Sequence, residues 1–410
     1  MTRVVITGMG ALTPIGNDVA SFQAGLDKQK VGFEPITYFD SIKTGITLAG
    51  QLDNFNPLKR MTKKDTKRMD FFTEYAIYTA SEAIEQASIN DENTDSSRLG
   101  VIWGSGIGGL TMIEKQTVKI HDKGADRVSP MFIPVSIANM AAGNLSIRYH
   151  AQAISTTIVT ACASGTNAIG EAYREIKDGR CDVMITGGSE AAINEDGIAG
   201  FAALSTLAQT TDPTQASLPF ASNRSGFVMG EGAGALILES LEHAQEHGAK
   251  ILGEIVGYGT TSDAYHITSP DPQGTQAARA MEMAIEEAKI SPKQVGYINA
   301  HGTATKDNDV AESKAINKLF GVDSPVLVSS TKSMTGHLLG AAGAIEAIAT
   351  TNALTLGRLP INVGVTDQDP ECTVNLVTKN NCKQHVDYAI SNSFGFGGHN
   401  AVLALKRWDD

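Results

Sequence analysis

The sequence predicts an α/β fold built from two related halves, and three observations carry that prediction. Apolar, β-branched stretches alternate with segments whose apolar residues recur at helical spacing. Glycine-rich turns separate the two kinds of segment. Three distinctive stretches of the first half return, in the same order, in the second. With 410 residues the chain is also too long for one simple core, so two core-forming halves are expected.

The repeats set the elements in order. RVVITGMGALTPIGN, from Arg3, is an apolar strand followed by Gly-x-Gly, and GEIVGYGTTSDAYH, from Gly253, has the same form. TIVTACASGTNAIGEA, from Thr157, is a strand, a small-residue turn and an Ala/Gly-rich helix; VLVSSTKSMTGHLLGAAGAIEAI, from Val326, matches it. GEGAGALILES and GGHNAVLALKR are each a glycine turn leading into an apolar strand. A period this long indicates a duplicated domain and not a solenoid, so the halves are placed at 1–250 and 251–410. The first half is longer, and the extra segment, about Phe33 to Ile147, is expected to form a cap that contacts partners. Glycine inside a helix costs about 1 kcal/mol relative to alanine. The glycines of the two Ala/Gly-rich helices therefore predict close packing, with both helices buried between two sheets.

Composition excludes several functions. The net charge is −12 with no long basic run, which disfavours nucleic acid as a partner. No stretch is long and apolar enough to span a membrane, and the start reads as a strand and turn, not a signal peptide. Four cysteines, Cys162, Cys181, Cys372 and Cys382, lack metal-site or disulfide-framework spacing. A reducing cytoplasm is the expected location.

Two motifs invite readings that the surrounding residues oppose. GVIWGSGIGGL contains Gly104-x-Gly106-x-x-Gly109 after a strand, but no second strand ending in an acid follows, so a dinucleotide site is not supported. Ile107 projects from the tip of that turn. HAQEH, His243 to His247, fits an inverted zinc-protease spacing. Ser240 as cap, Gly248 as stop, and Leu241 and Ala244 as the buried side instead predict an exposed polar helix.

Cys162 carries the chemical reading. Taken alone it reads as a small buried hydrophobe. Its place between a strand and a helix puts it near free helix N–H groups, which favour thiolate and lower the pKa. The same turn offers N–H groups to an oxyanion on a bound acyl group. His301, in YINAHGTATKDND, and His337, in SSTKSMTGHLLG, each follow an apolar strand, where α/β folds place ligand sites. His121, His150, His385 and His399 read as structural.

TACASGTNAIGEA, NAHGTAT, SSTKSMTGHLLGAAG and NSFGFGGHN, in this order, resemble the β-ketoacyl-[acyl-carrier-protein] synthases, condensing enzymes of the thiolase superfamily. The likeness runs from Val4 to Arg407 and is strongest to the long-chain elongating branch. It implies a thiolase-like, five-layer αβαβα sandwich and a decarboxylative condensation of an acyl group with malonyl-acyl-carrier protein. Cys162 matches the acyl-accepting nucleophile, and His301 and His337 match the paired histidines of decarboxylation. Lys332 and Glu346 match a supporting lysine and the acid that pairs with it. Phe396 matches a gating residue whose N–H completes an oxyanion hole, with Phe394 beside it. Thr303 and Thr305 match the pantetheine channel, and Ile107 the acyl pocket. Lys64, Lys67, Arg68 and Arg127 match positions facing the acidic carrier protein. A homodimer is implied, with no cofactor or metal, although a structural cation near Asn299, Glu346, Ser391 and Asn392 is left open. Ala304, Lys306 and Ser225 depart from the family's common residues. A thiolase and a non-catalytic chain-length subunit of the same fold stay as alternatives. The first is disfavoured because SFGFGGHN has no cysteine, the second because Cys162 is present.

Overall fold

The computed structural model describes residues 2–409. The first half contributes β1 (Val4–Leu12), α1 (Phe71–Ala87), β2 (Leu99–Gly104), β3 (Ser155–Ile158), α2 (Ser164–Lys177), β4 (Val183–Glu190) and β5 (Gly232–Ser240). The second contributes β6 (Gly253–Ser262), α3 (Thr275–Glu287), β7 (Val295–Asn299), α4 (Lys306–Phe320), β8 (Leu327–Ser329), α5 (Ala342–Leu356), β9 (Asn375–Leu376), β10 (Tyr388–Gly395) and β11 (His399–Lys406).

Strand order shows the repeat directly. It is β3-β2-β4-β5-β1 in the first half and β8-β7-β10-β11-β6 in the second, with β9 added outside β8. In both, the first three strands run parallel and the last two pair antiparallel. The halves meet where β1 pairs antiparallel with β6 through three residue pairs, Val4–Ile255, Val5–Glu254 and Ile6–Gly253. Arg3 reinforces that seam with an ion pair to Glu254 at 2.7 Å. Hydrogen bonding therefore runs through one eleven-stranded sheet, where two separate sheets were expected.

The sheet folds back at this seam, because α2 and α5 each touch strands of both halves. α2 buries ten of its fourteen residues and α5 thirteen of its fifteen. They form the middle layer. α1 covers the far face of the first half and α3, with α4 against it, covers the second, completing five layers. The glycines act as the sequence suggested: a Cβ on Gly343 of α5 would stand 2.0 Å from Thr166 Oγ1 of α2.

The cap is smaller than expected. Within Phe33–Ile147, α1 buries Phe72, Ala76, Ala80 and Ala83 in the core, and every residue of β2 is buried. These two elements belong to the repeated fold because their apolar faces need the sheet. The rest of the segment carries much exposed apolar surface, including Val118, Ile133 and Ile147. Among the described residues no helix is long and apolar enough to cross a membrane.

Candidate active site

Cys162 lies in a tight 3-10 turn, Ala161–Ala163, between β3 and α2. The turn is strained: Ala161 has φ +50°, a left-handed conformation unusual for a residue with a side chain. Ser164 Oγ braces it, accepting the N–H of Thr160 at 2.9 Å and donating to the carbonyl of Ala161 at 2.6 Å. Gly395 packs against it so closely that a Cβ there would stand 2.5 Å from the Thr160 carbonyl. The N–H groups of Phe396 and of Cys162 itself favour negative charge on the sulfur.

Ionisation of that sulfur differs from the expectation. Burial pushes the thiol up to about 12 and the charge of Lys332 draws it down; Glu190 opposes ionisation while the two N–H groups favour it. The cost of desolvating a thiolate outweighs the helix terminus, so the resting group is a thiol.

His301 follows β7 in a turn held by Glu312 of α4. The N–H of His301 donates to Glu312 Oε1 at 2.9 Å and that of Gly302 to Oε2 at 2.7 Å. His337 is held by pairing with the strand-like stretch at 228–230: its N–H donates to the Val228 carbonyl at 2.8 Å, and its carbonyl accepts from Gly230 at 2.9 Å. The two imidazoles meet edge to face with centroids 5.3 Å apart. Phe394 flanks His301 at 5.7 Å and Phe227 flanks His337 at 5.1 Å. Both Nδ1 atoms are buried without a hydrogen-bond partner.

Behind the histidines, Lys332 Nζ pairs with Glu346 and donates to the His301 carbonyl at 2.6 Å. Both side chains of the pair are buried. Burial first, and then the Lys332 charge, hold both imidazoles well below the usual histidine range. The rings are therefore neutral, each with one N–H to donate.

A pocket of about 370 Å³ brings together Cys162, His301, His337, Thr303, Thr305, Phe394 and Phe396. Lys306 and Ser225, two of the family departures, also line it. Lys332 and Glu346 stand behind it. Ile107 does not line it and is 37% exposed. Lys64, Lys67, Arg68 and Arg127 are exposed and outside it, and Arg127 lies 3.5 Å from Asp126.

Two carboxylates organise the site without having drawn notice in the sequence. One is Glu312. The other is Glu190 at the end of β4, fully buried, which accepts the N–H groups of Gly106 (2.7 Å), Ile107 (3.2 Å) and Gly340 (3.0 Å). It ties the glycine turn carrying Ile107 to the turn that follows His337. Its only local mark is an acid closing the apolar run VMITGGSE. Phe201 and Phe227 complete an aromatic wall, 5.7 Å apart.

Four buried oxygens, Asn299 Oδ1, Glu346 Oε2, Ser391 Oγ and Asn392 Oδ1, have no hydrogen-bond donor, and Ser391 and Asn299 are direct partners across β10 and β7. Asn392 projects from the other face of β10, where its amide donates to Glu312 Oε1 at 3.1 Å, so the four side-chain oxygens do not form one donor set. The HAQEH segment departs from its expected exposure: both histidines are on buried Glu239.

Comparison with known proteins agrees along the whole chain. Residues 1–244 match the family described as β-ketoacyl synthase, N-terminal domain, and residues 252–366 the corresponding C-terminal domain. The chain is 49% identical over 408 residues to 3-oxoacyl-[acyl-carrier-protein] synthase 2 of Staphylococcus aureus (strain N315), covering 99% of each. Among solved structures it resembles a β-ketoacyl synthase from Burkholderia phymatum STM815, with TM-score 0.92, 34% identity and full coverage of both chains. It also resembles AntDE:AntF, a type II acyl-carrier protein in complex with its ketosynthase bound to the hexaketide, with TM-score 0.91, 31% identity and full coverage of both chains.

Proposed function

Because the chain belongs to the β-ketoacyl synthase family, we infer that it elongates fatty acids, condensing an acyl group with malonyl-acyl-carrier protein to give 3-oxoacyl-acyl-carrier protein and CO₂. The observation that carries the residue-level reading is the single pocket lined by one thiol and two neutral imidazoles.

In this reading the acyl group first moves to the enzyme. Cys162 gives up its proton as the sulfur attacks the carbonyl of the acyl thioester. The negative oxygen is held by the N–H groups of Cys162 and Phe396, and the carrier's thiol leaves with a proton. Malonyl-carrier then enters, with Thr303 and Thr305 along its pantetheine arm. The bond to its carboxylate breaks and CO₂ departs. The electron pair forms an enolate, whose oxygen receives the N–H groups of His301 and His337. Neutral imidazoles suit this task, since each supplies a donor without a charge that must be desolvated. The enolate carbon attacks the acyl-sulfur carbonyl, and Cys162 leaves and regains a proton.

Lys332 and Glu346 position the histidines, and burial together with the Lys332 charge keeps them neutral. Ile107 lies on the acyl side, Phe394 and Phe396 flank the entrance, and Lys64, Lys67, Arg68 and Arg127 dock the carrier. Cys162 serves from the half at 1–250 and both histidines from the half at 251–410. A second copy covering β3, an edge strand, and the exposed apolar residues near it would make a homodimer. The cytoplasm is the place of action. The deciding experiment is transfer of a labelled acyl group from acyl-carrier protein: Cys162→Ala abolishes it, and retained condensation would refute the nucleophile.

A further inference from the structure

The segment His243–His247 takes no part in the Cys162 pocket, yet the fold gathers its two histidines onto one carboxylate. Glu239 is the penultimate residue of β5. Ser240 then caps a short helix, Leu241–Glu246, by accepting the His243 N–H at 3.1 Å. This turn lays both rings over the end of the strand. His243 Nδ1 stands 2.5 Å and His247 Nε2 2.8 Å from the same oxygen, Glu239 Oε2. The three donor atoms all lie within 4.8 Å of one another. Glu246 is not in the group, so the zinc-protease spacing is not the arrangement used.

We propose that Glu239 Oε2, His243 Nδ1 and His247 Nε2 form a binding site for a divalent cation of the zinc class. Two imidazoles and one carboxylate are a recognised zinc donor set, with a fourth position for water. Tetrahedral bonds of about 2.0–2.1 Å place ligand atoms about 3.3 Å apart, so small ring rotations suffice. Glu239 is fully buried.

An outer layer holds the ligands in place. Thr7 of β1 donates to the other carboxylate oxygen. His243 Nε2 lies 2.8 Å from the Asn93 carbonyl, the partner that fixes a ligating imidazole with its opposite nitrogen toward the metal. The histidine side chains keep 13% and 10% exposure, which leaves an approach for the ion and its water. Because none of the three residues lines the Cys162 pocket, the ion ties β1, β5 and the loop at Asn93 together and takes no part in condensation.

The test uses the full chain, stripped with chelator and treated with iodoacetamide at alkaline pH until Cys162 is fully alkylated, so that it cannot ligate. Zn²⁺ is titrated by calorimetry and the melting temperature followed with and without it. The expected result is one Zn²⁺ per chain and a higher melting temperature with the ion. His247→Gln and His243→Gln each weaken binding at least about tenfold and abolish the thermal shift. Should His243→Gln fail to fold, His247→Gln decides. No saturable binding to the wild-type chain below about millimolar Zn²⁺, or unchanged binding by a folded His247→Gln, overturns the proposal and leaves an imidazole–carboxylate cluster that binds no metal.

Discussion

The rings of His301 and His337 meet edge to face, at an interplanar angle of 84°. Strands β7 and β8 deliver them from adjacent positions in the sheet, and burial, with the Lys332 charge behind them, keeps both neutral. Removing one of two donors to a developing oxyanion costs a factor of about 10² to 10³. His337→Ala should lower malonyl decarboxylation by that factor, measured as CO₂ release, while acyl transfer to Cys162 continues. Both imidazoles are depressed, so the wild-type rate should show no inflection near the ordinary histidine pKa. Decarboxylation at the normal rate in the variant would remove His337 from the site.

The buried thiol makes a separate claim. With Cys162 pushed up to about 12, alkylation by iodoacetamide should be slow near neutrality and keep rising with pH, because only thiolate reacts. Inactivation should track modification of Cys162. A rate that levels off below about pH 8 would show a thiolate already formed in the resting enzyme, and would restore the sequence-based expectation.

Much of the site was legible in the sequence because strand–turn–residue order is local. The runs before Cys162, His301 and His337 mark strand ends, and the repeated order of segments foretold the repeated strand order β3-β2-β4-β5-β1 and β8-β7-β10-β11-β6. What escaped depends on distance along the chain. Glu190 is 84 residues from Gly106 and 150 from Gly340, so nothing near it announces the contact. The Cys162 pKa was misjudged because a helix terminus is visible in sequence and depth of burial is not. HAQEH looked like an exposed face because Glu239, the group its histidines seek, sits in the preceding strand.

Exposed basic residues bear on the carrier. Lys67→Glu with Arg68→Glu should raise the KM for acyl-carrier protein severalfold and flatten its dependence on salt, with kcat unchanged. Surface charges steer encounter and are screened by ions. Steady-state kinetics at two ionic strengths check this, and an unchanged KM would return the patch to a solvated helix face.

Two helix glycines, one packed in the middle layer and one in open space, predict opposite outcomes. Gly343→Ala places a methyl 2.0 Å from Thr166 Oγ1 and 2.7 Å from its main-chain nitrogen. It should destabilise by about 1–3 kcal/mol or more, since neither helix can retreat between the two halves of the folded sheet. Gly200→Ala meets nothing within 4 Å and lies in the helix Glu195–Ala203. It should stabilise by about 0.4–1 kcal/mol. Denaturant midpoints of the two variants test the contrast.

Glu190 gives a prediction whose sign depends on pH. Burial raises this carboxyl to about 7 against the N–H groups that favour its charge. A folded-state pKa above the unfolded value of about 4.3 means the folded chain holds the proton more tightly. Its stabilising share is complete below that unfolded value and is lost as pH climbs to about 7, by roughly 3–4 kcal/mol in all. Glutamine cannot titrate, so Glu190→Gln should be closest to wild type in net benefit at pH 8 and most clearly the less stable at pH 5. Glutamine also offers one acceptor oxygen where the carboxylate presents two to Gly106, Ile107 and Gly340. Acyl transfer should therefore slow at every pH, as the turn carrying Ile107 and the turn after His337 lose their common anchor. Urea unfolding of both proteins at the two pH values, with acyl transfer measured alongside, checks both parts. A stability difference that does not shift between pH 5 and 8 would mean that Glu190 does not titrate in the folded chain over that range.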